Sequence, residues 1–429
     1  MKTNKIIYTV LLLLAMLTQG YHAYGQADSL QHYLQEAATH NPGIQAEWKA
    51  YQASQQKIAQ AAPLPDLQLD MGFYVQPMDI IDGKQIADFT LMQMFPWFGT
   101  RKAAQSEATY SSNAAFESYR AALNELFLEV YTQWYEMSNL QQRQSNIEAH
   151  QLFLKDLESL AIQQYSTSGN ANSSADISAA MRVRLEMLEL ENEAERIQSQ
   201  LKTMRAAFNA LLNRDPHSPL VIPDNISAIP FHYDEAQLTQ QATMQNPELQ
   251  LITQQQKAYQ AKAIADKKAS LPMIGIGLQY SLIGKRSAQV LPTTSMNGMD
   301  MLMPMVSLSL PIYRKRYKAE QRESNLWRES LHAAYQQTYN LIHTELIQLR
   351  HELDEYQRAI KLLSKQTELA QTTYQLIVSE YATGKSQLNE VIEVQRQLLD
   401  YQFRQSEAVA QYNIAVARIQ KLITFNHNN

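Results

Sequence analysis

Three groups of residues have types and spacings that could do chemistry. His351-Glu352 is followed by Leu353-Asp354-Glu355, and a zinc-protease helix would need a second histidine where Glu355 stands. Gly275-Ile276-Gly277 has two of the three glycines of a dinucleotide-binding turn, but it lies in an alternating stretch rather than before a helix. Met301, Met303 and Met305 recur at every second position, as do Met92 and Met94. Thioethers are soft ligands that select ions such as Cu(I), and the same residues also serve as flexible apolar packing. The chain has no cysteine, which removes thiol nucleophiles, disulfides and a thiol that a lipid could acylate, and its 10 histidines are scattered. No catalytic residue, resident metal or cofactor is expected.

The methionine spacing is that of a β-strand, and the surrounding residues agree. Residues 66–75 alternate strictly, with Leu67, Leu69, Met71, Phe73 and Val75 on one side and Asp66, Gln68, Asp70, Gly72 and Tyr74 on the other. Residues 273–282 oppose Ile274, Ile276, Leu278, Tyr280 and Leu282 to Gly275, Gly277, Gln279 and Ser281. Return strands are expected over 87–95 and 301–310. Each run is about ten residues, the length with which a tilted barrel strand crosses a bilayer. Four strands cannot close a barrel, whose smallest form has about eight, so the barrel must be shared between subunits. Leucine and phenylalanine would then meet lipid, which turns Met92, Met94, Met301, Met303 and Met305 toward the lumen. Gly275 and Gly277 would keep that face small.

Elsewhere the chain reads as long helix. Glycine and proline are absent over 100–168, 170–215, 312–383 and 385–429, so four uninterrupted helical segments are expected, the longest approaching ~100 Å at ~1.5 Å per residue. Leu346, Leu349, Leu353, Tyr356, Ile360, Leu363, Thr367, Ala370, Tyr374, Ile377 and Tyr381 alternate steps of three and four, the pattern of a coiled-coil seam. Leu123, Leu126, Phe127, Val130, Trp134 and Met137 make a similar stripe. Both stripes are modest in hydrophobicity and rich in Tyr, Ala and Thr, which suits contact with several neighbours.

The chain is also internally repeated. KAYQA stands at Lys49–Ala53 and again at Lys257–Ala261, a spacing of 208 residues. Asn41-Pro42 and Asn246-Pro247 precede the copies, and Leu64-Pro65 and Leu271-Pro272 follow them. Pro96 matches Pro311, and Tyr165 with Gly169 matches Tyr381 with Gly384. Two near-equal units result: 26–214, with a strand hairpin at 66–95 and a helical hairpin at 98–214, and 241–424, with hairpins at 273–310 and 312–424. A proline-rich crossing, 215–240, joins them, and 425–429 is a tail.

At the N-terminus Lys2 and Lys5 precede the apolar run 10–17, and Ala23-Tyr24-Gly25 offers small residues for cleavage. This reads as a secretory signal peptide over 1–25, with the mature chain starting near Gln26. No later stretch reaches the ~20 apolar residues of a spanning helix. A net charge of −5, with mixed signs along the helices, argues against a nucleic-acid partner.

The order Asn-Pro, strand hairpin, Pro96-Trp97-Phe98-Gly99 with Arg101 opening a long helix, Tyr165 to Gly169 at a helix turn, and then a second copy resembles the TolC-type outer-membrane efflux proteins, and closest among them the branch serving resistance-nodulation-division pumps for heavy metals or drugs. The resemblance covers nearly the whole mature chain. It implies a mainly α protein with membrane β-structure: a homotrimer in which four strands per subunit build a twelve-stranded β-barrel, continued by a long α-helical coiled-coil barrel through the periplasm. It implies as partners a periplasmic adaptor protein and an inner-membrane efflux pump. The turns at Tyr165–Gly169 and Tyr381–Gly384 would be the helix tips that contact the adaptor. Arg101, Lys102, Arg314, Lys315 and Arg316 fall where strand becomes helix, at the level of outer-membrane lipid headgroups. The channel would export small molecules or metal ions. Two alternatives stay open: the exit channel of a type I protein-secretion system, and an exported coiled-coil scaffold without a pore. Many members of that branch carry a lipidated N-terminal cysteine, which this chain lacks.

Overall fold

The structure, a computed structural model, describes residues 30–61, 63–167, 173–223, 225–285 and 295–425. The expected leader lies outside the described residues, as does Gly169. In chain order the elements are α1 (Leu30–His40), α2 (Pro42–Gln60), β1 (Gln68–Phe73), β2 (Asp79–Ile80), β3 (Gly83–Phe95), α3 (Thr100–Thr167), α4 (Ser173–Leu211), α5 (Glu235–Gln245), α6 (Pro247–Ala269), β4 (Met273–Gly284), β5 (Met301–Ser309), α7 (Arg314–Ala382) and α8 (Leu388–Ile423). The four stretches without glycine or proline correspond to α3, α4, α7 and α8. Asp234 caps Ala236 N–H and starts α5 at Glu235, inside the 215–240 range given to the crossing.

The chain packs as two units. One comprises Glu47–Tyr119 and Pro247–Tyr339 and contains the sheet. Its strands run antiparallel in the order β1-β3-β4-β5, with β2 added on β3. The central pairing therefore joins strands from different copies of the repeat, β3 to β4, over eleven matched positions from Lys84↔Gly284 to Phe95↔Ile274. A bulge at Ile86 shifts the register between Gln85 and Ala87. This unit repeats its helix packing in both copies. The tyrosine of each KAYQA motif sits on an aromatic ring of a long helix, Tyr51 against Phe116 at 5.1 Å and Tyr259 against Trp327 at 5.8 Å between centroids.

Among the described residues the other unit holds those of 30–46, 120–246 and 340–425. The seam expected along α7 is its spine: Leu346, Leu349, Leu353, Leu363, Ala370, Tyr374 and Tyr381 are buried, and the remaining members of the stripe are half-buried. Leu154 and Leu157 of α3, Val183 of α4, Tyr374 and Tyr381 of α7 and Leu388, Val391 and Leu398 of α8 form one apolar cluster. Truncating a member such as Leu154 or Leu398, both fully enclosed, to alanine should cost about 2–5 kcal/mol through lost transfer and cavity terms.

The Asn-Pro pairs explain how each copy closes. Pro42 and Pro247 are the first residues of their helices, where a missing N–H costs nothing. The Asn41 amide donates to the Leu211 carbonyl at 3.0 Å, and the Asn246 amide donates to the Leu422 carbonyl at 3.2 Å. In both copies the asparagine thus satisfies a terminal carbonyl of the returning helix, a group that would otherwise lack an intrahelical partner.

Candidate functional site: the exposed sheet and the turn after helix α7

Ladder pairing sorts the sheet into two faces. Met92 lies opposite Gly277, Met94 opposite Gly275, and Gly275 and Gly277 lie opposite Ser307 and Met305. Asp70, Thr90 and Gln279 continue this row, as do Met303 opposite Gln279 and Met301 opposite Ser281. All five methionines named from sequence therefore share one face with small and polar residues. The opposite face carries Leu69, Met71, Phe73, Leu91, Ile276, Leu278, Leu302, Val306 and Leu308, every one of them exposed. Val306 is 80% exposed, on a sheet that soluble packing would cover.

The glycines on the methionine face make room for thioethers. The Ser307 hydroxyl lies 3.6 Å from the sulfurs of both Met92 and Met94. A Cβ on Gly275 would crowd Ser307 Oγ and stand 2.6 Å from Met94 Sδ, and one on Gly277 would stand 2.9 Å from the Leu91 carbonyl oxygen. Glycine is thus required here by the approach of neighbours across the ladder. Among the described residues, the outer strands β1 and β5 each pair on one side only. Among the described residues no helix is long and apolar enough to cross a membrane.

At the strand-to-helix junctions the named basic residues follow exposed apolar ones. Trp97 and Phe98 precede Arg101 and Lys102, and Ile312 and Tyr313 precede Arg314, Lys315 and Arg316, with Phe98 82% and Tyr313 76% exposed. Arg316 pairs with Glu320 at 2.9 Å on its own helix.

Gly384 has φ +73°, the left-handed conformation that a glycine just past a helix can adopt without strain. Lys385 N–H donates to the Glu380 carbonyl at 2.9 Å and Gly384 N–H to the Tyr381 carbonyl at 3.0 Å. These are the two bonds of a Schellman motif. Tyr381 is buried in the four-helix cluster described above, so the turn is tied to the core by its own tyrosine. Tyr165 lies in α3 near its end, two residues from the last described position before the chain resumes at Ser173. Nearby, Arg396 of α8 grips the Glu186 carboxylate of α4, with Nε to Oε2 at 2.8 Å.

The sequence motifs weighed for enzyme chemistry resolve into structure. Glu352 accepts from Arg418 at 3.1 Å, and among the described residues no group of three or more His, Asp and Glu converges to hold a metal. Sequence reasoning passed over His150, which is buried between two glutamines: Gln395 donates to Nδ1 at 3.0 Å, and Nε2 meets Gln402 Oε1 at 2.9 Å. Burial pulls its pKa below the ordinary value, opposed by the bond to Gln402. No motif marks it, because its partners lie on another helix some 250 residues away in sequence.

An open-edged antiparallel sheet with an exposed apolar face, carried with two long helical hairpins, defines an outer-membrane channel fold. The solved structures agree: the outer-membrane channel OprN superposes with a TM-score of 0.73 at 14% identity, covering 93% of this chain and 91% of that one. The outer membrane protein VceC from Vibrio cholerae gives 0.72 at 15% identity over 92% and 95%, and the MtrE outer membrane channel of Neisseria gonorrhoeae gives 0.70 at 13% over 92% and 88%. No curated protein matches the chain by sequence. Residues 238–424 match the family described as outer membrane efflux protein. Over that stretch, the second copy of the repeat, the chain is similar to this family, and the solved structures share its fold over nearly the whole chain.

Proposed function

We propose that the protein is the outer-membrane subunit of a tripartite efflux system, exporting small molecules or metal ions that an inner-membrane pump delivers through a periplasmic adaptor. The observation that carries the reading is the sheet: its apolar face is exposed, and among the described residues neither outer edge has a partner. In hydrocarbon an unpaired edge leaves backbone groups unsatisfied at several kcal/mol each, so such a sheet must close with others. Three copies, each contributing β1, β3, β4 and β5, make a twelve-stranded barrel. The face with Met92, Met94, Met301, Met303 and Met305 then lines the lumen, and the leucine face meets lipid.

On the same reading the turns at Tyr165–Gly169 and Tyr381–Gly384 meet the adaptor. The rigid Schellman closure at Gly384 supports this, because a docking turn gains from being held in one conformation. Arg101, Lys102, Arg314, Lys315 and Arg316 stand at the headgroup level. The test is membrane fractionation of producing cells together with export-dependent resistance in a strain lacking its own channel. Recovery in the outer membrane with restored resistance is expected. Recovery in the soluble periplasmic fraction would overturn the channel and favour a scaffold.

A further inference from the structure

A groove of about 780 Å³ opens at the first strand-to-helix junction. One part of its lining is apolar and belongs to the outward face of the sheet: Phe95, Ile274 and Ile276. The other part carries Phe98, Arg101 and Lys102 from the start of α3. The turn that shapes this end is fixed by Lys268, whose ammonium donates to the Phe98 carbonyl at 3.1 Å and lies 2.8 Å from where a Gly99 Cβ would stand. Gly99 has φ +81°, so the turn depends on glycine for its conformation.

We propose that this groove is a binding site for one anionic glycerophospholipid. An acyl chain lies on Phe95, Ile274 and Ile276, continuous with the exposed leucine face, and the phosphodiester lies against Arg101 and Lys102. The chemistry is complementary at both ends. The apolar wall suits a hydrocarbon chain, and two cations beside an exposed aromatic ring suit a phosphate at the membrane interface. A guanidinium in particular presents paired donors to phosphate oxygens. A free phosphate would use the cations and leave the apolar wall uncovered, and an uncharged detergent would do the reverse. The proposal rests on the membrane reading above and deepens it by naming a resident lipid.

The experiment uses the full-length protein purified in detergent and stripped of lipid, with phosphatidylglycerol, phosphatidylcholine or inorganic phosphate added, and adducts counted by native mass spectrometry. Phosphatidylglycerol should be retained at up to one molecule per chain at this site, more tightly than phosphatidylcholine, and inorganic phosphate should not displace it. The double substitution Arg101→Gln/Lys102→Gln should weaken phosphatidylglycerol binding by on the order of tenfold or more, with unchanged melting and oligomer mass. Lys361→Gln/Lys365→Gln, exposed on α7 and not part of the groove's lining, should leave it within about twofold. Equal retention of the two lipids, full displacement by phosphate, or equal binding by the Arg101/Lys102 variant would each overturn the proposal. Fractionation separates this from the underlying reading: a protein found in the outer membrane without the lipid preference refutes the groove alone.

Discussion

Replacing Gly384 isolates the energy of a single left-handed residue. An added Cβ at this position meets nothing within 4 Å, so no steric clash contributes. What remains is the cost of φ +73° for an L-residue, about 1–2 kcal/mol, at the upper end for a β-branched side chain and smallest for asparagine. Against the packing of α3, α4, α7 and α8 this is small, and expression, membrane insertion and melting temperature should hold. The effect should concentrate in the two amides that close the turn, Gly384 and Lys385, which donate to Tyr381 and Glu380. One to two kcal/mol corresponds to about 5–30-fold faster local opening. Hydrogen exchange read on a peptide spanning these residues should therefore rank Gly384→Val above Gly384→Ala above Gly384→Asn, with the last near wild type. If the turn docks as proposed, export-dependent resistance and cross-linking to the adaptor should fall in the same order. Unchanged exchange in the valine variant would refute the left-handed-cap reasoning. Normal resistance with accelerated exchange would reduce the turn to a connector.

Three other outcomes follow from the geometry. Gly275→Ala should impair sheet assembly because its Cβ would crowd Ser307 Oγ, and Gly275→Ala/Ser307→Ala should recover part of the outer-membrane yield, as measured by membrane fractionation. His150 is held neutral by burial, so its contribution to stability is complete above its ordinary pKa of 6.5 and is lost as pH falls below that value toward its depressed folded pKa. Hydrogen exchange in α3 around position 150 should accordingly quicken more between pH 7 and pH 5 in wild type than in His150→Gln. Replacing Met301, Met303 and Met305 together by leucine should leave copper and silver resistance unchanged alongside dye export, and a selective loss of metal resistance would assign those thioethers to cargo.

Much of this architecture was legible in the sequence because its signals are periodic. Absence of glycine and proline marks the four long helices, steps of three and four mark the α7 seam, and parity along residues 87–95 and 301–310 sorts methionine from leucine and phenylalanine on two strands. Three features escaped for physical reasons. Pairing of β3 with β4 across the repeat is a non-local choice that no local pattern encodes. The start of β3 at Gly83 was hidden because the bulge at Ile86 breaks its alternation, and β2 consists of only Asp79 and Ile80. Asn41 and Asn246 were visible as repeat markers, but their contacts with the Leu211 and Leu422 carbonyls arise only when each helix returns.

The most direct test of a shared barrel is a cysteine cross-link between the two edge strands, made straightforward by a chain with no native cysteine. In one chain β1 and β5 lie at opposite ends of the order β1-β3-β4-β5. A cysteine at Asp70 combined in turn with one at Met303, Met305 or Ser307 would therefore bridge only between chains, or across a sheet closed on itself. Oxidation in intact outer membranes should give, for at least one pair, a covalent species of three chains on a denaturing gel, with dimer as its precursor and either single cysteine giving none. Oxidation that yields only monomer for every pair, with both thiols shown to be reactive, would contradict the trimeric barrel.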